Sequence, residues 1–174
     1  VDEVGIDIGY HVARVLETAY GGRLKVAGIL QKVYESGMLG KKSGSGFYVH
    51  QGKQKTVNNK VLRLRGSAMF ALDDDTTCKR LIYVMINEAC RCLEENVADS
   101  ASTIDVGMIY GTGFPPFRGG LLKYADSIGS KKIVEDLKSF QSRFDPQRFE
   151  PSRLLLEMAD AGRGFYDPQR GAVA

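Results

Sequence analysis

The strongest helical pattern in the chain is the stretch Leu81-Ile-Tyr-Val-Met-Ile-Asn-Glu-Ala-Cys-Arg-Cys-Leu-Glu-Glu95. Its apolar residues recur at helical spacing, and Asp75, Thr76 or Thr77 can act as the N-cap. The side chains expected to face inward are Leu81, Ile82, Met85, Ala89, Cys92 and Leu93. This pattern predicts one long amphipathic helix in the middle of the chain.

Helical patterns continue on both sides of this stretch. Before it, amphipathic runs extend from Asp7 to the glycine pair at 21–22 and from Val26 to Gly37. After it, helical runs separated by glycine or proline cover residues 102–108, 121–127, 131–144 and 152–161. Because no strand-like alternation of useful length is present, the predicted fold class is all-α.

Two parts of the chain resemble each other, which predicts an internal repeat. The stretch Val1-Asp-Glu-Val-Gly-Ile-Asp-Ile-Gly9 resembles Tyr124-Ala-Asp-Ser-Ile-Gly-Ser130, and each leads into an amphipathic helix. A Gly-Phe-Tyr sequence follows a second helix in both copies, at 46–48 and at 164–166. The first copy begins where the second is already halfway through.

The repeat predicts an unequal division of the chain. We expect residues 1–50 to form the second half of a first helical repeat, 51–75 a polar linker and 76–170 a complete second repeat. The half-repeat and the lack of an initiating Met lead us to expect a fragment of a longer protein.

Composition argues against several classes of protein. The net charge of +3 is spread thinly over 174 residues, so we expect no nucleic-acid partner. No apolar run approaches the roughly 18 residues that span a bilayer, so we expect no membrane span. Three cysteines do not form a disulfide framework, which is typical of a reducing compartment and predicts a cytoplasmic location.

The glycine-rich segments do not match known cofactor loops. Gly37-Met-Leu-Gly-Lys-Lys-Ser43 lacks the Gly-Lys-Ser/Thr ending of a phosphate loop, and a basic loop that ends a helix is the simpler interpretation. Neither Gly44-x-Gly46 nor Gly111-x-Gly113 completes the dinucleotide motif G-x-G-x-x-G. The sequence therefore predicts no cofactor-binding residues.

Four side chains remain as candidates for a site. His11 and His50 have no partner at catalytic or metal-binding spacing, so we expect no catalytic residue and no metal ligand. Asn87 is a poor helix former in mid-helix, and its simplest role is a polar contact between helices. Tyr110 precedes Gly111–Gly120, where paired glycines and prolines predict a rigid turn; its ring either packs or contacts a ligand.

The motifs resemble one family closely. Ile86-Asn-Glu-Ala89, Cys92–Glu95 and Tyr110-Gly-Thr-Gly-Phe-Pro-Pro-Phe-Arg-Gly-Gly120 resemble the last domain of fatty-acid oxidation complex α subunits, which are enoyl-CoA hydratase/3-hydroxyacyl-CoA dehydrogenases. Val4–Asp7 and Gly40–Tyr48 resemble the end of the preceding C-terminal repeat. The expected fold is the helical C-terminal domain of 3-hydroxyacyl-CoA dehydrogenase, one repeat plus half of another.

The resemblance implies an NAD-dependent oxidation of (3S)-3-hydroxyacyl-CoA in a bacterial β-oxidation enzyme. In that family a Rossmann domain carries NAD and a His–Glu pair, so this fragment is expected to bind no NAD and to be inactive alone. The family's substrate-binding Asn lies in the first repeat, and no catalytic role transfers to Asn87. The Tyr that precedes Gly-x-Gly-Phe-Pro-Pro is Tyr110, which the resemblance makes a substrate contact.

The implied partners are acyl-CoA, the Rossmann and hydratase domains of the same chain, and a thiolase β subunit. Because a broken half-repeat would expose apolar surface, we also expect self-association. The alternative function is a helical interaction or dimerisation module without a ligand of its own. A phosphate-binding role for Gly40–Gly46 is a third hypothesis.

Overall fold

The computed structural model describes residues 1–65 and 72–167. The chain divides into two compact units, Val1–Ala71 and Leu72–Ala174. Residues 66–71 of the expected linker and 168–170 of the expected second repeat lie outside the described residues. The division into a half-repeat, a linker and a full repeat remains a prediction.

The described residues are mainly helical, which confirms the all-α class. The helices of the first unit are α1 (Ile6–Tyr20), α2 (Gly28–Glu35) and α3 (Asn59–Leu64). Those of the second unit are α4 (Asp74–Glu94), α5 (Ala101–Thr112), α6 (Leu121–Ile128), α7 (Ser130–Arg143) and α8 (Arg153–Ala161). One antiparallel hairpin, β1 (Tyr48–Gln51) and β2 (Gln54–Val57), also lies in the first unit.

Strand β2 and helix α3 fall within residues 51–64, where the sequence predicts a linker, and β1 ends at Gln51. Every residue of β2 is exposed, so this strand carries none of the apolar alternation by which a strand is recognised. Asn58 caps α3, because its side-chain oxygen accepts a hydrogen bond from Lys60 N at 3.0 Å. Residues 54–64 therefore form a strand and a short helix, where the sequence predicts a linker without secondary structure.

Helix α4 begins earlier than predicted, and its inward face matches the predicted stripe only in part: Ala89 is buried, and Ile82, Met85 and Leu93 are partly buried against the core. Asp73 is its N-cap and accepts a hydrogen bond from Thr76 N at 2.6 Å, so a cap at Asp75 or beyond is wrong. Leu81 is 65% exposed. The buried residues are Tyr83, Ile86, Asn87, Ala89 and Cys90. Because α4 carries apolar residues on more than one face, its periodicity did not identify the face that the neighbouring helices cover.

The second unit has a continuous core. Helix α4 packs against α6, α7 and α8, and α7 packs against α8. The completely buried side chains of this core are Ile86, Cys90, Leu122, Ile133, Leu137 and Leu155. Burying a large aliphatic side chain contributes roughly 1.5–3 kcal/mol, so this core supplies most of the apolar stabilisation of the unit.

The first unit has a much smaller core, formed by Ile6, Val33, Met38 and Val61. The apolar stripe of α1, predicted from its amphipathic pattern, lies on the exposed side of that helix. Its members Ile8, Val12, Val15 and Leu16 are 49%, 54%, 68% and 39% exposed. We call these four residues the α1 stripe.

Both Gly-Phe-Tyr sequences are bound by an aspartate. Asp2 accepts hydrogen bonds from Phe47 N at 3.0 Å and from Tyr48 N at 2.9 Å. Asp126 accepts from Phe165 N at 2.6 Å and from Tyr166 N at 3.0 Å. We call each carboxylate with its two backbone donors an aspartate clasp. The clasps stand at equivalent places in the two similar stretches of sequence.

The glycine of each clasp allows the close approach. A Cβ on Gly46 would lie 2.7 Å from both Asp2 carboxylate oxygens, and one on Gly164 would lie 3.0 Å from the Asp126 carboxylate. A larger residue at either position would push the acid away from the backbone donors that it binds. The clasp therefore explains why glycine precedes Phe-Tyr in both copies.

We expect Gly46→Ala to lower the free energy of unfolding by about 1–3 kcal/mol, because the new methyl group collides with Asp2. The measurement is urea unfolding followed by circular dichroism. Gly28→Ala is the matched control in the same unit, since a Cβ there meets nothing within 4 Å. An equal loss of stability in both variants would contradict the clasp.

The clasp of the first unit also predicts a pH dependence. Burial raises the pKa of the Asp2 carboxyl, but hydrogen bonds from Tyr48 N–H, His50 and Phe47 N–H outweigh it, so the pKa lies below its ordinary value. Such a carboxyl stabilises the fold above its unfolded-state pKa, and this contribution is lost as the pH falls through the folded-state pKa.

We therefore expect the stability of the first unit to fall as the pH is lowered from about 5 to about 2. Asp2→Asn should remove much of this dependence in urea unfolding measured across that range. The control is Glu3→Gln, whose carboxylate pairs with Lys41 on the exposed surface and is screened by water. If Asp2→Asn retained the full slope, Asp2 would not be the group responsible.

Candidate functional site

The turn Gly113–Gly120 joins α5 to α6 and has a tightly defined backbone. Gly113 ends α5 in the left-handed conformation, and its N–H donates to Ile109 O at 3.1 Å. A one-turn 3-10 helix at Pro116–Arg118 follows. Gly120 has φ +113°, and a Cβ there would collide with the Asp105 side chain. The glycines and prolines thus serve the rigid turn that the sequence predicts.

Asp105 fixes the position of this turn through hydrogen bonds to the residues that follow it. Its side chain is buried and accepts hydrogen bonds from Leu122 N at 2.6 Å and Lys123 N at 3.0 Å, at the start of α6. The Tyr166 hydroxyl donates to the same carboxylate at 2.7 Å. A carboxylate at a helix N-terminus is electrostatically favourable. Asp105 therefore connects α5, α6 and the segment after α8.

Tyr166 links Asp105 to the clasp of the second unit. Its backbone N–H donates to Asp126 while its hydroxyl donates to Asp105. Partial burial, the hydrogen bond to Asp105 and the charges of both acids raise the pKa of the Tyr166 hydroxyl. The hydroxyl therefore stays protonated and keeps donating at neutral pH. Because it acts in this network, Tyr166 is a structural residue.

Tyr110 lies on the last turn of α5, and its side chain is 87% exposed. Within residues 1–65 and 72–167, no hydrogen bond involves its hydroxyl. This excludes the alternative that Tyr110 is a half-buried packing residue with a satisfied hydroxyl. The structure leaves both its ring and its hydroxyl available to a ligand.

Two residues of the turn add to the surface but were not singled out from the sequence. Phe117 is 83% exposed on the 3-10 turn. The Arg118 guanidinium lies 4.9 Å from the Tyr124 ring centroid and 5.7 Å from that of Phe117. These contacts hold a positive charge beside exposed aromatic surface. The repeated Phe in Phe-Pro-Pro-Phe was the only signal, and it does not say which Phe is buried.

Asn87 acts as a structural bridge. It is 1% exposed, its Nδ2 donates to Glu150 O at 2.7 Å, and its Oδ1 accepts from Ser152 N at 2.8 Å. Ser152 in turn caps α8 by accepting from Leu155 N. The nitrogen and the oxygen of the Asn87 amide thus both position the chain just before α8. This agrees with the polar contact between helices that the sequence predicts for Asn87.

The two histidines belong to the first unit, whereas Tyr110 belongs to the second. His11 is exposed on α1, and its Nδ1 lies 2.8 Å from Asp7 O. His50 is well buried, with its Nε2 3.0 Å from the Asp2 carboxylate. Asp2 and His50 are 48 positions apart in the chain, so local sequence spacing could not reveal this pair. Since Asp2 is already engaged in the clasp, the pair supports the fold.

The loop Gly40–Gly46 also has a structural role. Lys41 pairs with Glu3 at 3.0 Å, and Lys42 pairs with Asp7 at 2.6 Å. Gly40 allows the chain to pass the Asp2 backbone, since a Cβ there would collide with it. Carboxylates of the same unit occupy the lysines that a phosphate would need, which disfavours the phosphate-loop hypothesis.

Within the part of the chain that the structure describes, no three His, Cys, Asp or Glu side chains come together as metal ligands. Over residues 1–65 and 72–167, no helix is both long and apolar enough to cross a bilayer.

Comparison with known proteins gives consistent matches. The family model for 3-hydroxyacyl-CoA dehydrogenase, C-terminal domain, matches residues 1–50 and 77–172. The fatty acid oxidation complex subunit alpha of Shewanella loihica is 40% identical over 170 residues, and that of Vibrio vulnificus is 39% identical over 168. Each alignment covers 96% of this chain and 24% of the relative, so the chain spans about a quarter of the length of these curated relatives.

Two solved structures share the fold. The 3-hydroxybutyryl-CoA dehydrogenase of Escherichia coli K12 gives a TM-score of 0.70 at 19% identity, over 92% of this chain and 50% of that one. The dehydrogenase part of multifunctional enzyme 1 from C. elegans gives 0.59 at 24% identity, over 90% and 36%.

The two blocks matched by the family model fall one in each unit of the structure. Together they cover most of the chain, and the resemblance inferred from the motifs is confirmed. The chain belongs to the 3-hydroxyacyl-CoA dehydrogenase family and matches its C-terminal domain.

Proposed function

We propose that this chain is the substrate-facing C-terminal part of an NAD-dependent (3S)-3-hydroxyacyl-CoA dehydrogenase of fatty-acid β-oxidation. The family match and the names of the relatives support this activity. Because the chain spans about a quarter of those relatives, we further propose that other parts of such a protein carry the NAD-binding Rossmann domain and an enoyl-CoA hydratase.

The residues of this chain do not fit NAD. A dinucleotide site needs a parallel strand, a glycine-rich turn and a helix in sequence. Among residues 1–65 and 72–167, the only sheet is the antiparallel pair β1 and β2. A Rossmann domain in another part of such a protein would hold NAD, which would supply the oxidant for the reaction. The part proposed for this chain is to hold and orient the acyl-CoA.

The exposure of Tyr110 beside a rigid turn is the observation on which the substrate-binding proposal depends. A ring that is 87% exposed offers apolar contact area, and its hydroxyl can donate or accept a hydrogen bond. Phe117 extends the apolar surface, and Arg118 supplies a positive charge for an anionic ligand. An acyl-CoA has both an apolar chain and phosphate groups, which suits this combination.

We expect the chain to bind acetoacetyl-CoA weakly in isothermal titration calorimetry. Tyr110→Phe removes only the hydroxyl and should weaken binding about three- to tenfold, the usual range for one hydrogen bond. Tyr110→Ala should weaken it further because the ring is lost as well.

Tyr20→Phe is the matched control, since Tyr20 is an exposed tyrosine on α1, 47% accessible. The affinity of the Tyr20→Phe variant for acetoacetyl-CoA should stay within a factor of about two of the wild-type value, on the order of experimental error. Equal binding by all variants would refute the role of Tyr110. Measurable NAD binding by this chain would contradict the proposal that another part of such a protein carries the NAD-binding domain.

The second candidate function is a dimerisation or interaction module of the same multienzyme protein. The α1 stripe supports it, because four neighbouring aliphatic side chains on one helix are 39–68% exposed. Clustered exposed apolar residues of this kind mark contact surfaces in soluble proteins more often than scattered ones do. We propose that the stripe drives self-association of the chain.

The double variant Val12→Glu, Val15→Glu should shift the chain toward monomer in size-exclusion chromatography with light scattering, because two charges would enter the contact. Val97→Glu is the control: Val97 is 73% exposed outside the stripe, in the second unit. A wild-type chain that stays monomeric at high micromolar concentration would rule out this use of the stripe.

We also propose a thiolase β subunit as a partner and the bacterial cytoplasm as the location. The name "subunit alpha" of the Shewanella and Vibrio relatives implies at least one further subunit in their complexes. Copurification of a thiolase with a protein of the relatives' full length would support the partner.

A further inference from the structure

A cleft of about 310 Å³ in the second unit is lined by residues of α4, α6 and α7. Pockets that bind small molecules measure about 300–1,000 Å³, so this one suits a molecule about as large as a substituted ring. We call it the tyrosine cleft. Its apolar and aromatic walls are formed by Ile82, Tyr83, Tyr124 and Ile128.

Tyr83 is buried in one wall of the tyrosine cleft, yet its hydroxyl is unpaired. The residue is 3% exposed, and its ring centroid lies 6.5 Å from that of Phe140 in the core. Within residues 1–65 and 72–167, no hydrogen bond involves the Tyr83 hydroxyl. A buried tyrosine hydroxyl usually has a partner, and one without a partner calls for an explanation such as a bound molecule.

The Tyr83 hydroxyl reaches the open space of the cleft. Among the described residues, the side-chain oxygens and nitrogens that are both enclosed and unpaired do not include it, so this unpaired hydroxyl is accessible. The charges that act on it include those of Lys79 and Asp75, which also line the cleft. Burial and the charge of Asp136 raise the pKa of the hydroxyl, so it stays protonated at neutral pH and can donate to a ligand.

Tyr124 supplies a second hydroxyl to the same cleft. Its ring centroid lies 6.3 Å from that of Phe114 and 4.9 Å from the Arg118 guanidinium, which fixes the plane of the ring. Over the described part of the chain, no hydrogen bond involves the Tyr124 hydroxyl. Two hydroxyls on walls that are otherwise aliphatic suit a ligand with an apolar body and an oxygen that accepts hydrogen bonds.

The charged residues around the cleft balance one another. Lys79 pairs with Asp75, and Lys132 pairs with Asp136. The second oxygen of Asp136 is enclosed, so it is closed to a ligand. A charged ligand would meet as many like charges as opposite ones, and its loss of hydration would not be offset. The cleft therefore favours a neutral molecule.

We propose that the tyrosine cleft binds a neutral small molecule with a ring-sized apolar body and a carbonyl oxygen that accepts a hydrogen bond from Tyr83. The body packs against Ile82, Ile128 and the Tyr124 ring. The proposal is independent of the function proposed above, because Tyr110 does not line this cleft.

The test uses the whole 174-residue chain and acetophenone, a neutral aromatic ketone, in saturation-transfer-difference NMR titrations. Wild type should bind with a Kd of about 1 mM, an ordinary affinity for a molecule of this size. Tyr83→Phe should weaken binding about three- to tenfold, because one hydrogen bond is lost. Its melting temperature in circular dichroism should not fall, since the hydroxyl has no partner within the described chain.

A second variant blocks the cleft without touching the core. Cys78 lines the cleft and is exposed, so Cys78→Trp should abolish acetophenone binding by filling the space with an indole ring. Leu81→Trp is the matched control, because Leu81 is 65% exposed on the same helix and does not line the cleft. Tyr34→Phe, on α2 of the first unit, is the control for loss of a tyrosine hydroxyl. Both control variants should bind as wild type does.

Several outcomes would overturn the proposal. They are no binding of acetophenone by wild type, equal binding by Tyr83→Phe, and binding that survives in Cys78→Trp. Benzoate has the same ring but a negative charge, and tighter binding of benzoate than of acetophenone would contradict a neutral ligand. Tyr83→Phe should bind acetoacetyl-CoA as wild type does, so this proposal and the role of Tyr110 can fail separately.

Discussion

A carboxylate that accepts two successive backbone N–H groups organises each unit of this protein. In the first unit Asp2 binds the Phe-Tyr backbone after Gly46, and in the second Asp126 does the same after Gly164. A charge-assisted hydrogen bond contributes roughly 1.5–3 kcal/mol, so each pair ranks with the burial of a large aliphatic side chain. In both units the acid thereby fixes the backbone of a segment that lies 39 to 46 positions later in the chain.

The clasp of the second unit extends to the candidate site. Tyr166, held at its backbone by Asp126, donates a hydrogen bond from its hydroxyl to the buried Asp105. Asp105 also accepts from the first N–H groups of α6, which positions the turn Gly113–Gly120. Tyr110 is therefore exposed beside a turn whose backbone is fixed by Asp105, so a ligand would meet a preorganised surface.

Much of this could be predicted because it depends on local pattern. Apolar spacing located most of the helices, and paired glycines and prolines located the rigid turn before α6. The repeated Gly-Phe-Tyr revealed an internal similarity without showing its cause. Asn87 shows the limit of local pattern: the sequence predicts a polar contact between helices, but it does not show that Asn87 is 1% exposed or that its partners are Glu150 and Ser152.

The sequence by itself determined the helical class, the family and the place of Tyr110, since each depends on residues within a few positions of one another. Only the tertiary structure decided which face of α4 is buried, that the α1 stripe is exposed, and that Asp2 meets Phe47 and His50. It alone brought the Asn87 amide to Glu150 and Ser152. These contacts join residues up to about 70 positions apart, and no periodicity along a chain encodes which distant element will cover a given face.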